Sequence, residues 1–181
     1  MNTPIFYDGS GARLKGENII KKQTDLSSLK GIFQDNRSFI EMNPTETVYE
    51  VEMHENGLQE GDKGGLFFGI SHIFPGKVGS EYFMTRGHTH QNKDTGEYYW
   101  GLKGNGLLLL IYPNKKLVVE DVKPNSLHYI PGNVAHRLIN TGNEKLSVGA
   151  CWLTESGHNY DKHLFNVKVI EENGKAKVVL I

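Results

Sequence analysis

Residues 87–102 read Gly87-His88-Thr89-His90-Gln91-Asn92-Lys93-Asp94-Thr95-Gly96-Glu97-Tyr98-Tyr99-Trp100-Gly101-Leu102. On extended backbone, positions i and i+2 share a face, so His88 and His90 point one way and Thr89 the other. Gln91 to Gly96 is polar and turn-forming, which makes it a connecting loop and sets Glu97 at the head of the next strand. His136 recurs downstream, just after the turn at Pro131-Gly132. Three imidazoles and one carboxylate that can converge form a donor set suited to Fe(II), Mn(II), Zn(II) or Ni(II), and the spacing does not choose among them.

The same alternation runs outward in both directions. Thr47 to His54, Leu66 to Ile73, Tyr98 to Leu102, Leu107 to Tyr112, Leu117 to Val122, Leu127 to Ile130, His136 to Asn140 and Leu146 to Leu153 are short apolar or alternating runs. Turn chemistry separates them, with Pro-Gly at 75–76 and 131–132, Gly-Asn-Gly at 104–106, Pro-Asn at 113–114 and 124–125, and Thr-Gly-Asn at 141–143. Many short strands at even spacing predict an all-β antiparallel sandwich or barrel. The tail carries two strand-like runs around Asn173-Gly174, a strong hairpin signal. Residues 1–46 lack that rhythm. They read as an N-terminal arm with one short helix, capped at Thr24 or Asp25 and presenting Leu26, Leu29, Ile32 and Phe33. No internal repeat or linker divides the chain, so a single domain over 1–181 is expected: the arm, a barrel core over 47–160, and a C-terminal hairpin over 161–181.

Composition narrows the function classes. The 181 residues carry 20 Lys+Arg against 21 Asp+Glu, a net charge of -1, with no basic block. Nucleic acid and anionic membranes are therefore not expected partners. No apolar stretch approaches the roughly 18 residues of a membrane span, and no leader pattern opens the sequence. A single cysteine, Cys151, cannot form an internal disulfide. A reducing, cytoplasmic setting is the expectation, with Cys151 as a buried, inert thiol.

The run His88-x-His90, Glu97, Gly104 resembles the first cupin motif, and Pro131 through His136 to Asn140 resembles the second, with Asn125 where a glycine is usual. Asparagine also visits left-handed backbone. The resemblance implies a cupin double-stranded β-helix, a jelly-roll barrel whose mouth holds one divalent metal ion per subunit on His88, His90, Glu97 and His136, with iron foremost among the candidates.

Phe74 to His90, the triplet Glu97-Tyr98-Tyr99, Gly157-His158-Asn159-Tyr160 and the tail Val169 to Lys175 are further similar to the cupin-type glucose-6-phosphate isomerases of archaea and some bacteria. That resemblance implies a metal-dependent aldose–ketose isomerase of glycolysis or gluconeogenesis acting on a small sugar phosphate, commonly as a homodimer. It implies that the metal acts as a Lewis acid, with Glu97 as candidate base and His136 beside it in the catalytic group. Substrate positions map onto Ser71, Thr85, Gly87, Tyr99, Trp152, His158 and Tyr160. Trp152 stands where the family has tyrosine, and its indole N–H donates without accepting. Two routes are open, proton transfer by Glu97 and a metal-assisted hydride shift from C2 to C1. Rival readings are a cupin Fe(II) oxygenase and a non-catalytic sugar-binding cupin. Tyr98, Tyr99 and Trp100 would also suit a barrel core, and Lys77, Arg86 and Lys93 lie near enough to steer a dianion.

Overall fold

Side-chain alternation places the strands. A computed structural model describes residues 4–161 and 163–181. The strands are β1 Phe6–Asp8, β2 Arg13–Lys15, β3 Ile19–Asp25, β4 Thr47–His54, β5 Leu66–Ile73, β6 Lys77–Val78, β7 Glu81–Tyr82, β8 Glu97–Lys103, β9 Gly106–Ile111, β10 Leu117–Val122, β11 Leu127–Ile130, β12 Ala135–Asn140, β13 Leu146–Leu153, β14 Val167–Glu172 and β15 Lys175–Leu180. The runs expected from Thr47 to Leu153 are all present, within a residue or so at each end.

One sheet runs β11-β8-β13-β5-β4-β3 and a second runs β10-β9-β12, with antiparallel neighbours throughout. The crossovers between non-consecutive neighbours make this an all-β jelly roll. Bridges Met84–Ile139 and His88–His136 lay the segment 84–88 along the free edge of β12. Leu108, Leu110, Ile130, Leu138, Leu146 and Val148 belong to the apolar core, all at most 2% exposed. The C-terminal hairpin β14–β15 turns at Asn173-Gly174, both at positive φ (54° and 74°), as a tight hairpin of that sequence requires. Asn125 adopts φ 70°, the left-handed conformation expected of it.

The N-terminal third departs from expectation. β3, which its weak pattern assigns to the arm, is the outermost strand of the large sheet, paired with β4 from Ile19–His54 to Asp25–Thr47. An edge strand with solvent on one side and a polar cavity on the other has no apolar alternation to show. The expected helix is only a 3₁₀ turn over Leu26–Leu29, and Asp25 makes no side-chain cap there. The α-helix comes later: α1 spans Asn36–Glu41, where the Asp35 carboxylate accepts from the Ser38 N–H at 3.0 Å. Helix α1 buries no residue, so it has no apolar stripe to read.

Candidate metal centre and its cavity

Three local features bring the four donors together. Gly87 at φ 75° turns the chain so that His88 runs antiparallel to His136, with reciprocal N–H to carbonyl bonds of 3.2 and 3.0 Å. His90 follows two residues on, outside any regular strand, so the shared direction of the two histidines comes from the bridge rather than from a continuous strand. Glu97 opens β8 and His136 sits second in β12, each on the inner face. One donor atom from each of His88, His90, Glu97 and His136 lies within 4.8 Å of the others.

Main-chain carbonyls fix how the rings present themselves. His90 Nδ1 donates to the Thr95 carbonyl at 2.7 Å and His136 Nδ1 to the Val134 carbonyl at 3.0 Å. That assigns the hydrogen to Nδ1 in both and turns an Nε2 lone pair inward, the arrangement that orients a metal-ligating histidine. Glu97 Oε1 is 2.7 Å from His136 Nε2 and 3.2 Å from His90 Nε2. Burial pushes the Glu97 carboxyl up, but the imidazoles of His136, His90 and His88 around it override burial and hold the group well below the usual carboxylate range. Burial, joined by repulsion from His136, drives His88 well below an ordinary imidazole. His90 feels burial too, yet Glu97 lifts it above its ordinary value. A buried carboxylate facing inward lone pairs is a setting suited to a cation, and this donor set fits a divalent transition metal.

A cavity of about 350 Å³ opens above the cluster. Ser71, Thr85, Gly87, Tyr99, Trp152, His158 and Tyr160 all line it, together with His88 and Glu97; His90 and His136 lie beneath. The strands supply their side chains by alternation: Tyr99 beside Glu97 on β8, Ser71 with Gly69 and Phe67 on β5, Trp152 with Ala150 on β13. His158 and Tyr160 stack with interplanar angle 6°, and the His158 ring lies 4.6 Å from that of His88. Burial, then the Glu97 charge, raises the Tyr99 phenol well above its ordinary value, so it stays a donor. The Leu138 N–H donates to the Thr85 hydroxyl oxygen at 3.1 Å, which leaves that hydroxyl's own hydrogen available to the cavity.

The wall contributed by β3 and β4 is the part that sequence reasoning missed. Lys22, Thr24, Tyr49, Val51 and Glu60 also line the cavity. The alternation Ile20, Lys22, Thr24 is the available signal, masked by Lys21 and Gln23 on the opposite face. Of the three cations considered for steering, only Arg86 lines the cavity. Lys77 pairs with Glu171 on the C-terminal hairpin, and Lys93 lies in the 91–96 loop, away from the cavity wall. Tyr98 and Trp100 point away from the core, 51% and 41% exposed, so of the aromatic triplet only Tyr99 faces inward. Cys151 is half-buried on that outer face, and burial raises its thiol.

Residues 20–178 match the family model described as glucose-6-phosphate isomerase. The chain is 41% identical over 159 residues to the glucose-6-phosphate isomerase of Pyrococcus abyssi, covering 85% of this chain and 82% of that protein. It is 38% identical over 167 residues to that of Thermococcus litoralis, covering 90% and 86%. A bacterial relative, the putative glucose-6-phosphate isomerase 1 of Rhizobium meliloti, is 38% identical over 142 residues, covering 77% and 65%. Among solved structures, an oxalate oxidase in complex with the substrate analogue glycolate superimposes with TM-score 0.47 at 13% identity, covering 81% of this chain and 56% of that one.

Proposed function

The chain belongs to the glucose-6-phosphate isomerase family, and from that premise we propose that it interconverts glucose 6-phosphate and fructose 6-phosphate using one divalent metal ion held by His88, His90, Glu97 and His136. The observation that carries the metal-dependent reading is the ionised Glu97 facing two inward imidazole nitrogens at the floor of a polar cavity. When bound, the ion supplies Lewis acidity toward the sugar's C1 and C2 oxygens. Iron heads the candidates for it, with manganese, zinc and nickel also compatible with the donors.

Glu97 serves as the base. Both of its imidazole contacts use Oε1, so Oε2 is the oxygen left to take the proton from C2 of the open-chain aldose and return it to C1, while the hydroxyl hydrogen passes from O2 to O1. One carboxylate thus divides two tasks between its two oxygens. Tyr99, buried and protonated on the same strand face, donates to a sugar oxygen and holds the chain in register. At the far end Ser71, Thr85, the Gly87 N–H, Trp152, His158 and Tyr160 supply neutral donors for the phosphate. This is one catalytic domain over 1–181, with 47–160 as its barrel core, working as a homodimer, as its family resemblance implies, in the reducing, cytoplasmic setting that its single cysteine suits.

The deciding experiment is fructose 6-phosphate isomerisation by the purified protein, under air and under nitrogen. Equal turnover without oxygen uptake supports the proposal. Oxygen consumption coupled to sugar loss would replace it with an oxygenase, and binding without turnover would make the chain a sugar-binding cupin.

A further inference from the structure

Arg137 follows the metal-ligand candidate His136 on β12, so its side chain leaves the opposite face of the strand. The residue is only 4% exposed, and no carboxylate forms an ion pair with it among the described residues. Its guanidinium lies over the Phe165 ring at 4.0 Å, and Nη2 donates to the Arg86 carbonyl at 2.6 Å. Nε is buried with no partner. The buried Glu81 carboxylate attracts it from beyond ion-pair distance, so the charge is desolvated without a direct counter-ion, an arrangement that is costly in a merely structural role. A guanidinium keeps its proton in proteins, so the group is a cation at neutral pH.

Its placement relative to the cavity explains what it does there. No peptide bond is cis among the described residues, so the carbonyl of Arg86 and the N–H of Gly87 point in opposite directions across one peptide plane. Arg137 holds the carbonyl on the outer side. A carbonyl held in this way directs the Gly87 N–H to the opposite side of the peptide plane, and Gly87 lines the cavity beside Thr85, Arg86 and Ser71. Gly87 itself is fitted against this device: a Cβ at that position would meet the Phe165 ring at 2.5 Å and Arg137 Nε at 2.9 Å. The hydrogen bond polarises the peptide, and the buried charge behind it adds to the potential that an anion feels in the cavity.

We propose that Arg137 is a positioning residue for the substrate's phosphate: it locks the Arg86–Gly87 peptide with the Gly87 N–H facing the cavity and sets a buried positive charge behind that N–H. The inference rests on the isomerase reading for the identity of the anion, but the device recognises inorganic phosphate equally well.

Two measurements test it. In zinc-loaded wild-type protein, the Gly87 amide resonance should move downfield as inorganic phosphate is titrated in; an unmoved Gly87 overturns the proposal, whatever the protein's turnover. In Arg137→Met, KM for fructose 6-phosphate and the inhibition constant of inorganic phosphate should rise together by roughly tenfold, the scale of one charge-assisted hydrogen bond. Metal content should be unchanged and kcat should fall far less. Arg137→Lys, which restores charge without the planar fork, should recover part of the phosphate affinity. A folded Arg137→Met with unaltered phosphate inhibition refutes the role. Should that variant fail to fold, the Arg137→Lys constants and the Gly87 titration decide. Phosphate binding at Gly87 in a protein that does not isomerise fructose 6-phosphate would sink the isomerase reading and leave this inference standing.

Discussion

His88 and His136 face one another across an antiparallel bridge, their Nε2 atoms 3.1 Å apart. His136 has committed its Nδ1 hydrogen to the Val134 carbonyl, so its Nε2 turns a lone pair into the space it shares with His88 Nε2 and with the Glu97 oxygen 2.7 Å away, itself an acceptor. Acceptors so crowded are stable only around a shared cation, which a divalent ion provides more fully than one proton does.

Chelation is therefore expected to abolish isomerisation while the β-sheet circular dichroism persists, because the apolar core does not depend on the four donors. The melting temperature should rise again with added Mn(II), Fe(II) or Zn(II), as binding to the folded state alone requires. His136→Ala should lower both the metal-to-protein ratio, read by elemental analysis, and the rate, each by at least about tenfold. Turnover in protein stripped of metal would refute the Lewis-acid role.

Glu97→Gln separates the two tasks assigned to that side chain. The amide keeps an oxygen for the cluster but has no basic lone pair of comparable strength, so kcat should fall by about 10²–10⁴ with a smaller change in KM. Metal content should decline less than in His136→Ala. An unchanged kcat would favour the hydride route, in which no residue carries the C2 hydrogen. Solvent deuterium entering C2 of the glucose 6-phosphate formed from fructose 6-phosphate during wild-type turnover is the matching signature of proton transfer.

The barrel and the donor set are legible in the sequence because both rest on strong local signals. Period two from Thr47 to Leu153 has one face in the core, and four ligand side chains, three imidazoles and a carboxylate at His88, His90, His136 and Glu97, have few other reasons to cluster. What escapes is what depends on tertiary placement. Lys22 and Thr24 line the cavity only because β3 pairs with β4, and the alternation of Ile20, Lys22 and Thr24, masked by polar neighbours, does not distinguish that from an exposed arm. Helix α1 is held by the Asp35–Ser38 cap rather than by a buried stripe. The outward Tyr98 and Trp100 show the converse, since β-favouring aromatics suit either face of a strand until its partners are known.

Gly87 is where backbone strain and function coincide. Gly87→Ala adds a methyl group into the space of Phe165 and Arg137 and forces an L-residue to φ 75°. A loss of about 1–3 kcal/mol in denaturant stability is expected, accompanied by a raised KM because the N–H it carries shifts. Gly174→Ala is the control: it too sits at positive φ (74°), but nothing lies within 4 Å of the point its methyl group would occupy, and it is remote from the cavity. Its cost should be confined to stability.

On the outer face of the large sheet, Glu52 and His72 form a buried pair that governs acid stability. Glu52 accepts from the Leu14 N–H at 2.8 Å and binds the Arg13 guanidinium, which fastens the β1–β2 hairpin to β4. His72, 1% exposed, bonds through Nδ1 to Ser147 Oγ at 2.8 Å, and its Nε2 stands 3.9 Å from Glu52. Burial lowers His72 from 6.5 to about 4, with Glu52 and Glu50 opposing the shift and Arg13 and Lys145 reinforcing it. The native state thus binds a proton on His72 later than the unfolded chain does. Stability is fully present above pH 6.5 and is lost as pH falls toward about 4, with a slope of at most about 1.4 kcal/mol per pH unit from this one group. Glu52, also lowered in the native state as its bonds to Leu14 and Arg13 outweigh burial, adds a loss in the same direction at the acid end. Urea unfolding between pH 7 and pH 4 should show this slope in the wild type and a shallower one in His72→Gln, which has no proton to gain. Parallel curves for the two proteins would show that the acid response arises elsewhere.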